Sequence, residues 1–379
     1  MITTLIPDSL FDGERLHIQQ PISFKDGKII AMDTVKKAKE YRLNGLLTAG
    51  FIDTQVNGGG GKLFNQQPEL STLSSMVEAH SRFGTTAMLP TLITDEITKT
   101  KQAADAISTA IAQKVPGVLG IHFEGPHISA VKKGIHHQDK IRPITEQELE
   151  LYCRDDLGIK LITLAPEAVD VSRIKTLIEH QVIVSLGHSN ASFDQVNLAL
   201  NAGATGFTHL FNAMSPLNSR SPNMLGAALL DPKSWCGLIL DGHHVHPACA
   251  QIAYQIKTEG KLMLVTDSMS TIGSTQSQFH FDGHDIELTQ DKLTSQTGQL
   301  AGSALNMIAA VNNATSMLGA PASQALNMAS AYPAEFLGLQ KQRGSIKIGN
   351  VADLLLLNDS PSTTRVHVKH AWISGSQVF

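Results

Sequence analysis

Apolar residues along this chain fall into short clusters separated by amphipathic stretches, and that rhythm predicts most of the architecture. Eight clusters read as strands: residues 47–56, 85–94, 118–126, 159–166, 182–189, 206–212, 236–241 and 262–268. Between most of them apolar positions recur at helical spacing. Residues 70–83, with Leu70, Leu73, Met76 and Val77, and residues 193–202 are the plainest cases. Strand and helix in alternation imply an α/β fold with a parallel sheet. Eight repeats favour a closed (β/α)8 TIM-like barrel over an open doubly wound sheet.

The two ends of the chain are patterned differently. Short strand-like runs at 16–18, 21–24 and 28–31 surround an Asp26-Gly27 turn, and runs at 345–348, 352–357 and 367–374 surround Gly349-Asn350. Neither end can bury a core alone, so together they are expected to form one small sheet or sandwich from residues 1–48 and 340–379. That leaves 49–339 for the catalytic barrel. Residues 270–300, with turns at Asp282-Gly283 and Thr297-Gly298, break the rhythm and read as an inserted loop or hairpin.

Composition narrows the class. A chain of 379 residues suits one large barrel with a satellite, and 42% hydrophobic against 17% charged residues supplies a large core. A net charge of -4 argues against a nucleic-acid or membrane-surface partner. No apolar run is long enough to span a bilayer, and the first residues lack a basic segment followed by an apolar one. Cys153, Cys236 and Cys249 are odd in number and lack ligand spacing, as expected of free thiols in a reducing compartment. The expectation is a cytoplasmic enzyme.

A barrel enzyme keeps its catalytic groups at the C-terminal ends of several strands. Here the third strand ends at Glu124, the fifth at His188, the sixth runs through His209 and the eighth ends at Asp267. A single strand-end histidine more often only caps a hydrogen bond. Four polar residues at four strand ends are harder to explain that way. A Glu/His/His set with one position left for water suits a catalytic divalent ion.

The segments Gly50-Phe51-Ile52-Asp53, His122-Phe123-Glu124-Gly125-Pro126, Lys133-Gly134-Ile135-His136, Leu186-Gly187-His188-Ser189, Thr208-His209-Leu210-Phe211-Asn212-Ala213-Met214, Asp241-Gly242-His243-His244 and Val265-Thr266-Asp267 then stand together in one order. In these the chain resembles the N-acetylglucosamine-6-phosphate deacetylases of the amidohydrolase superfamily, over nearly its whole length. The resemblance implies a distorted barrel with a small β-sandwich built from both termini. It implies one divalent metal ion per subunit, held by Glu124, His188 and His209. Zinc stands first, and iron, cobalt and manganese are admitted by the same ligands. Asp267 would be the general base and then acid, with His136 polarising the acetamide carbonyl. Ile135, Asn212, Ala213, Arg220, Asp241, His244, Leu300, Ala301 and Gly302 would bind the phosphosugar. Arg220 would reach into the neighbouring subunit's site, implying a homodimer. The products would be acetate and glucosamine 6-phosphate.

Where many amidohydrolases carry His-x-His for a second metal, this chain has Gln55-Val56-Asn57. Amides are poor ligands for zinc-like ions, so one metal is expected. The run Asn57–Lys62 does not match GxxxxGK[ST] and reads as a flexible loop. Asp53 is expected to buttress backbone, and His122 to support the site or contact substrate. Two rival readings stay open at this point. A cyclic amidase or nucleobase deaminase would favour His-x-His and often a bridging lysine, where Leu164-Ala165-Pro166-Glu167 stands. A catalytically dead sugar-phosphate binder would have no use for Asp267.

Overall fold

Eight parallel strands follow one another around the barrel in chain order: β1 (Phe51–Val56), β2 (Thr85–Ile93), β3 (Gly120–Glu124), β4 (Ile159–Leu164), β5 (Val182–Leu186), β6 (Gly206–Phe207), β7 (Trp235–Leu238) and β8 (Leu262–Leu264). Each overlaps one of the apolar clusters predicted from the sequence. This computed structural model describes residues 1–257, 260–358 and 365–379. The ring closes where Val56 bridges Ser268 and the Asp267 N–H donates to the Gln55 carbonyl at 2.9 Å.

Helices α1 (Leu70–Ser81), α2 (Ile97–Ala112), α3 (Glu146–Tyr152), α4 (Val171–Glu179), α5 (Phe193–Asn201), α6 (Asn223–Leu230), α7 (Pro247–Ile256) and α8 (Met307–Leu318) cover the strands. Their starts are encoded locally. Ser192 caps α5 and Thr145 caps α3, each in a reciprocal capping box with Gln195 or Glu148. Leu73 and Met76 of α1 are fully buried, as their spacing predicts. Every residue of β2 is buried, the pattern of a parallel strand covered on both faces.

Both termini build a second, eight-stranded sheet. Strands Thr3–Phe11, Leu16–Ile18, Ile22–Lys25, Lys28–Ala31 and Lys39–Ala49 come from the N-terminal end, and Leu354–Leu357, Val368–Ile373 and Ser376–Gln377 from the C-terminal end. A bridge from Lys28 to Val351 brings the sheet back on itself around Leu5, Ile22, Phe24, Leu354, Leu356 and Trp372. Lys39–Ala49 lies between Thr3–Phe11, which it pairs in parallel, and Leu354–Leu357, antiparallel.

Several details depart from the sequence reading. The cluster 47–56 is two strands, split at Gly50 where the chain passes from terminal sheet to barrel. A Cβ on Gly50 would lie 2.0 Å from the Thr86 hydroxyl oxygen. Gly50→Ala should therefore destabilise the fold by about 1–3 kcal/mol through overpacking, read as a lower thermal midpoint. An unchanged midpoint would mean that Thr86 moves aside freely. Residues 345–348 are irregular and end in a turn rather than forming a strand, because the Asn350 side chain holds the Ser345 carbonyl and Ile346 N–H reaches the Asp12 carbonyl. The glycine run after β1 is a two-stranded ribbon, Gly58–Gly59 against Lys62–Leu63, pinned by Gly60 and Gly61 N–H groups on Ile272 and Ser270. The insertion is a three-stranded antiparallel sheet, Gln278–Phe281, His284–Thr289 and Lys292–Ser295.

Candidate active site

Glu124 is the last residue of β3, while His188, His209 and Asp267 follow β5, β6 and β8 by a few residues. At those three positions the backbone turns left-handed, with φ of 46°, 33° and 51°. Such conformations are uncommon for residues other than glycine and concentrate at functional sites. They end the ladders while directing polar side chains into the barrel mouth.

Three atoms converge there. Glu124 Oε1 lies 3.2 Å from His188 Nε2 and 3.0 Å from His209 Nε2, and the two Nε2 atoms are 2.9 Å apart. Two ring nitrogens at that distance accommodate one proton between them at most. The spacing is close to that of ligands around a tetrahedral ion with bonds of about 2.0–2.1 Å. His188 Nδ1 lies 2.9 Å from the Lys132 carbonyl, which fixes Nδ1 as the protonated nitrogen and leaves Nε2 as a lone-pair donor. The donor set fits a divalent cation. Burial pushes the Glu124 carboxyl up, yet its close contacts with the two imidazoles outweigh it and hold the group well below the usual range. Burial lowers His209, but the Glu124 hydrogen bond and charge raise it overall.

The proton-handling groups surround this triangle. Burial, with the Glu124 charge beside it, pushes Asp267 up to about 6. Asn57 Nδ2 donates to Asp267 Oδ1 at 2.6 Å. His136 is buried 2.7 Å from the Thr94 hydroxyl through Nδ1, and burial keeps it well below the usual imidazole range, hence neutral. Asp241 receives the N–H groups of His243 and His244, each at 2.8 Å, and His244 Nδ1 at 2.6 Å. Beneath the site, burial lifts Asp53 to about 7, where it accepts from the Thr266 hydroxyl and the Gln55 N–H, the backbone support expected of it. His122 is held between Thr91 and Thr163 inside the barrel.

A cavity of about 250 Å³ opens over these groups. Glu124, His188, His209, Asp267 and His136 line it, as do Ile135, Asn212, Ala213, His244, Leu300 and Gly302. Three of the residues expected at the substrate stand elsewhere. Arg220 is exposed on the turn where Asn218 bridges Ser221, Asp241 lies behind His244, and Ala301 is buried in the apolar cluster with Leu63, Phe281 and Leu293. Ile93, Ile239, Met269 and Gln299 also line the cavity and were not singled out from the sequence, and Asn57, noted there only at the place of a second metal's ligands, lines it too. For Asn57 the alternation with Gln55 and Asp53 along β1 was the available signal, since positions two apart share a strand face.

Fold and site together define a barrel hydrolase with a metal-ready Glu/His/His centre. The sequence profile of the amidohydrolase family matches residues 46–378. An N-acetylgalactosamine-6-phosphate deacetylase of Shewanella sp. (strain ANA-3) is 48% identical, covering 94% of this chain and 91% of that protein. An N-acetylglucosamine-6-phosphate deacetylase of Haemophilus influenzae is 34% identical, covering 86% of each. The crystal structure of the Pasteurella multocida N-acetylglucosamine-6-phosphate deacetylase superposes with a TM-score of 0.93 at 32% identity, over 100% of this chain and 99% of that one. The chain belongs to the amidohydrolase family, among its N-acetylhexosamine-6-phosphate deacetylases.

Proposed function

We propose that this chain hydrolyses the acetamide of N-acetylglucosamine 6-phosphate or its C4 epimer, releasing acetate and the amino-sugar phosphate in amino-sugar catabolism. The observation that carries the reading is the convergence of Glu124, His188 and His209 beside a buried Asp267 in one cavity. N-acetylglucosamine 6-phosphate is the substrate expected from the sequence. The relative at 48% identity, named for the galactosamine compound, favours the epimer as a second substrate.

Glu124, His188 and His209 would hold one divalent ion, zinc first, which when bound supplies Lewis acidity toward water and the acetyl carbonyl. Asp267 takes a proton from the attacking water and returns it to the nitrogen, because an amine anion is a very poor leaving group. His136, neutral and with Nδ1 toward Thr94, presents Nε2–H to the oxygen that gains charge. His244 is oriented by Asp241, which accepts from Nδ1 and leaves Nε2 for the substrate. Asn212, Ala213, Ile135, Leu300 and Gly302 shape the sugar site, with Ala301 packing behind them.

Arg220, exposed on its own chain, fits the proposal that it reaches a neighbouring site in a homodimer and binds phosphate by a two-pronged contact. The same reading divides the chain into 1–48 with 340–379 and 49–339. Three free cysteines suit the reducing cytoplasm.

The test is acetate release from both 6-phosphorylated epimers and from unphosphorylated N-acetylglucosamine. Turnover of a phosphorylated sugar at least about tenfold above the plain one supports the reading, on the energy of charge-assisted phosphate contacts. No turnover of either phosphosugar by metal-loaded protein would sink it. Arg220→Ala should raise KM for the phosphosugar by about 10–100-fold with unchanged metal content. An unchanged KM would remove Arg220 from the site.

A further inference from the structure

The sheet inserted at residues 278–295 meets the barrel through both of its turns. At the second turn Asp291 lies 2.9 Å from His243, but its side chain is 77% exposed, and an ion pair open to solvent holds little. The first turn is built otherwise. Asp282 is only 15% exposed although it stands in an Asp-Gly turn, and its carboxylate lies 3.4 Å from Lys140 Nζ. The same ammonium donates to Asp95 Oδ1 at 2.9 Å. Burial pushes the Lys140 ammonium down, yet Asp95 and then Asp282 raise it overall, so its charge is held. One cation thus ties three segments. Asp95 follows Thr94, the partner of His136, at the end of β2, Lys140 follows His136 on its loop, and Asp282 belongs to the insertion. Lys140 is itself anchored from the barrel side. Its carbonyl accepts from Arg142 at 2.8 Å, and Arg142 pairs with the buried Glu148 at 2.7 Å.

What lies under the sheet gives this tie its consequence. Phe281, Ile286 and Leu293 of the insertion form one apolar cluster with Ile93 and Met269, and Ile135 packs against it. Ile93, Met269 and Ile135 also line the cavity, as does Leu300, which bridges Thr294 at the end of the sheet. The inner face of the insertion is therefore the back of the cavity's apolar wall. Apolar burial is non-directional, so it holds the sheet down without fixing where it sits. The contact at Lys140 is directional.

We propose that Lys140 is a positioning residue, an ammonium latch that seats the inserted sheet on the barrel and so sets the wall against which the sugar ring lies. In its effect on activity this rests on the deacetylase reading above. Lys140 does not line the cavity and acts through Ile93, Ile135, Met269 and Leu300. His136 keeps its own hold on Thr94, so the latch governs substrate fit rather than the chemical step. Without the ammonium, Asp95 and Asp282 face each other as like charges and the sheet lifts.

Hydrogen exchange and kinetics on the full-length protein test this together. In Lys140→Met the amides of residues 278–295 should exchange about tenfold faster than in wild type while barrel amides keep their rates, the scale of one lost charge-assisted hydrogen bond. KM for the phosphosugar should rise about tenfold with kcat within about threefold of wild type, the signature of lost binding rather than lost chemistry. Lys140→Arg keeps the charge and should keep both exchange and KM near wild type. Asp282→Asn should repeat the Lys140→Met result, and the double variant should exchange no faster than Lys140→Met, because both remove one contact. Wild-type exchange across 278–295 in Lys140→Met overturns the proposal, and so does faster exchange with an unchanged KM. Should Lys140→Met lose its cooperative melt, Asp282→Asn decides in its place. Wild-type protein that deacetylates neither phosphosugar would instead defeat the functional reading, and the exchange rates would still judge the latch.

Discussion

Asp267→Asn is expected to lower kcat by about 10³–10⁴-fold while zinc content stays at the wild-type value. The carboxamide nearly matches the carboxylate in shape, so the contacts from Asn57 and Gln55 change little in volume. What disappears is a group that can take a proton from water and give it to nitrogen. In the wild type that group must be ionised before attack. Its carboxyl is lifted to about 6 by burial and by Glu124, so kcat/KM should fall as pH drops through an acid limb at or below about 6. A cation bound beside it draws the limb lower, never higher. The limb should vanish in Asp267→Asn. Retention of more than a tenth of wild-type kcat would show that the proton travels elsewhere, with His136 the next group to examine.

Loss of the cation is expected to cost about as much. Lewis-acid stabilisation of developing charge is worth several kcal/mol, or about 10³-fold in rate. Wild-type protein stripped by a chelator should lose that activity and regain it when zinc is returned. His209→Ala should not regain it, because Glu124 and His188 alone leave the triangle with a single side of 3.2 Å. The same variant also relieves the close approach of the two Nε2 atoms, so its fold should persist in a thermal melt. Stripped protein shown to be metal-free and still fully active would refute the metal centre, whereas equal recovery in His209→Ala would refute only His209 as a ligand.

Much of this was legible in the order of residues. The barrel strands are short runs of apolar side chains because both faces are covered, and burial of that kind writes itself into composition. The predicted clusters at 236–241 and 262–268 outran β7 and β8 because the strand-end segments leave the ladder where the site begins. Thr3–Phe11 was missed: Pro7 and Asp8 argue against a strand, and its pairing with Lys39–Ala49 is set by residues far away in sequence. At the site, the metal-capable set stood out because carboxylate and imidazole are rare at strand ends without a task. Gln55 and Asn57 stood out only for the histidines they are not. Their hydrogen bonds to Glu124 and Asp267 depend on amide orientation, which no spacing records. Nor does any spacing show that Asp241 serves His244 from behind the cavity, or that Arg220 faces outward from its own chain.

The terminal sheet also sets a timetable for synthesis. Lys39–Ala49 and its partner Thr3–Phe11 are both made early, whereas Leu354–Leu357, which covers the other edge, is made near the end. At about 5–20 residues per second the intervening chain takes on the order of 15–60 s to appear. Throughout that interval Leu46 and Leu47 lie along an open strand edge, the kind of surface on which nascent chains aggregate. A premature stop shortly before Leu354 would leave every barrel strand and catalytic side chain in place, and would make that exposed edge permanent.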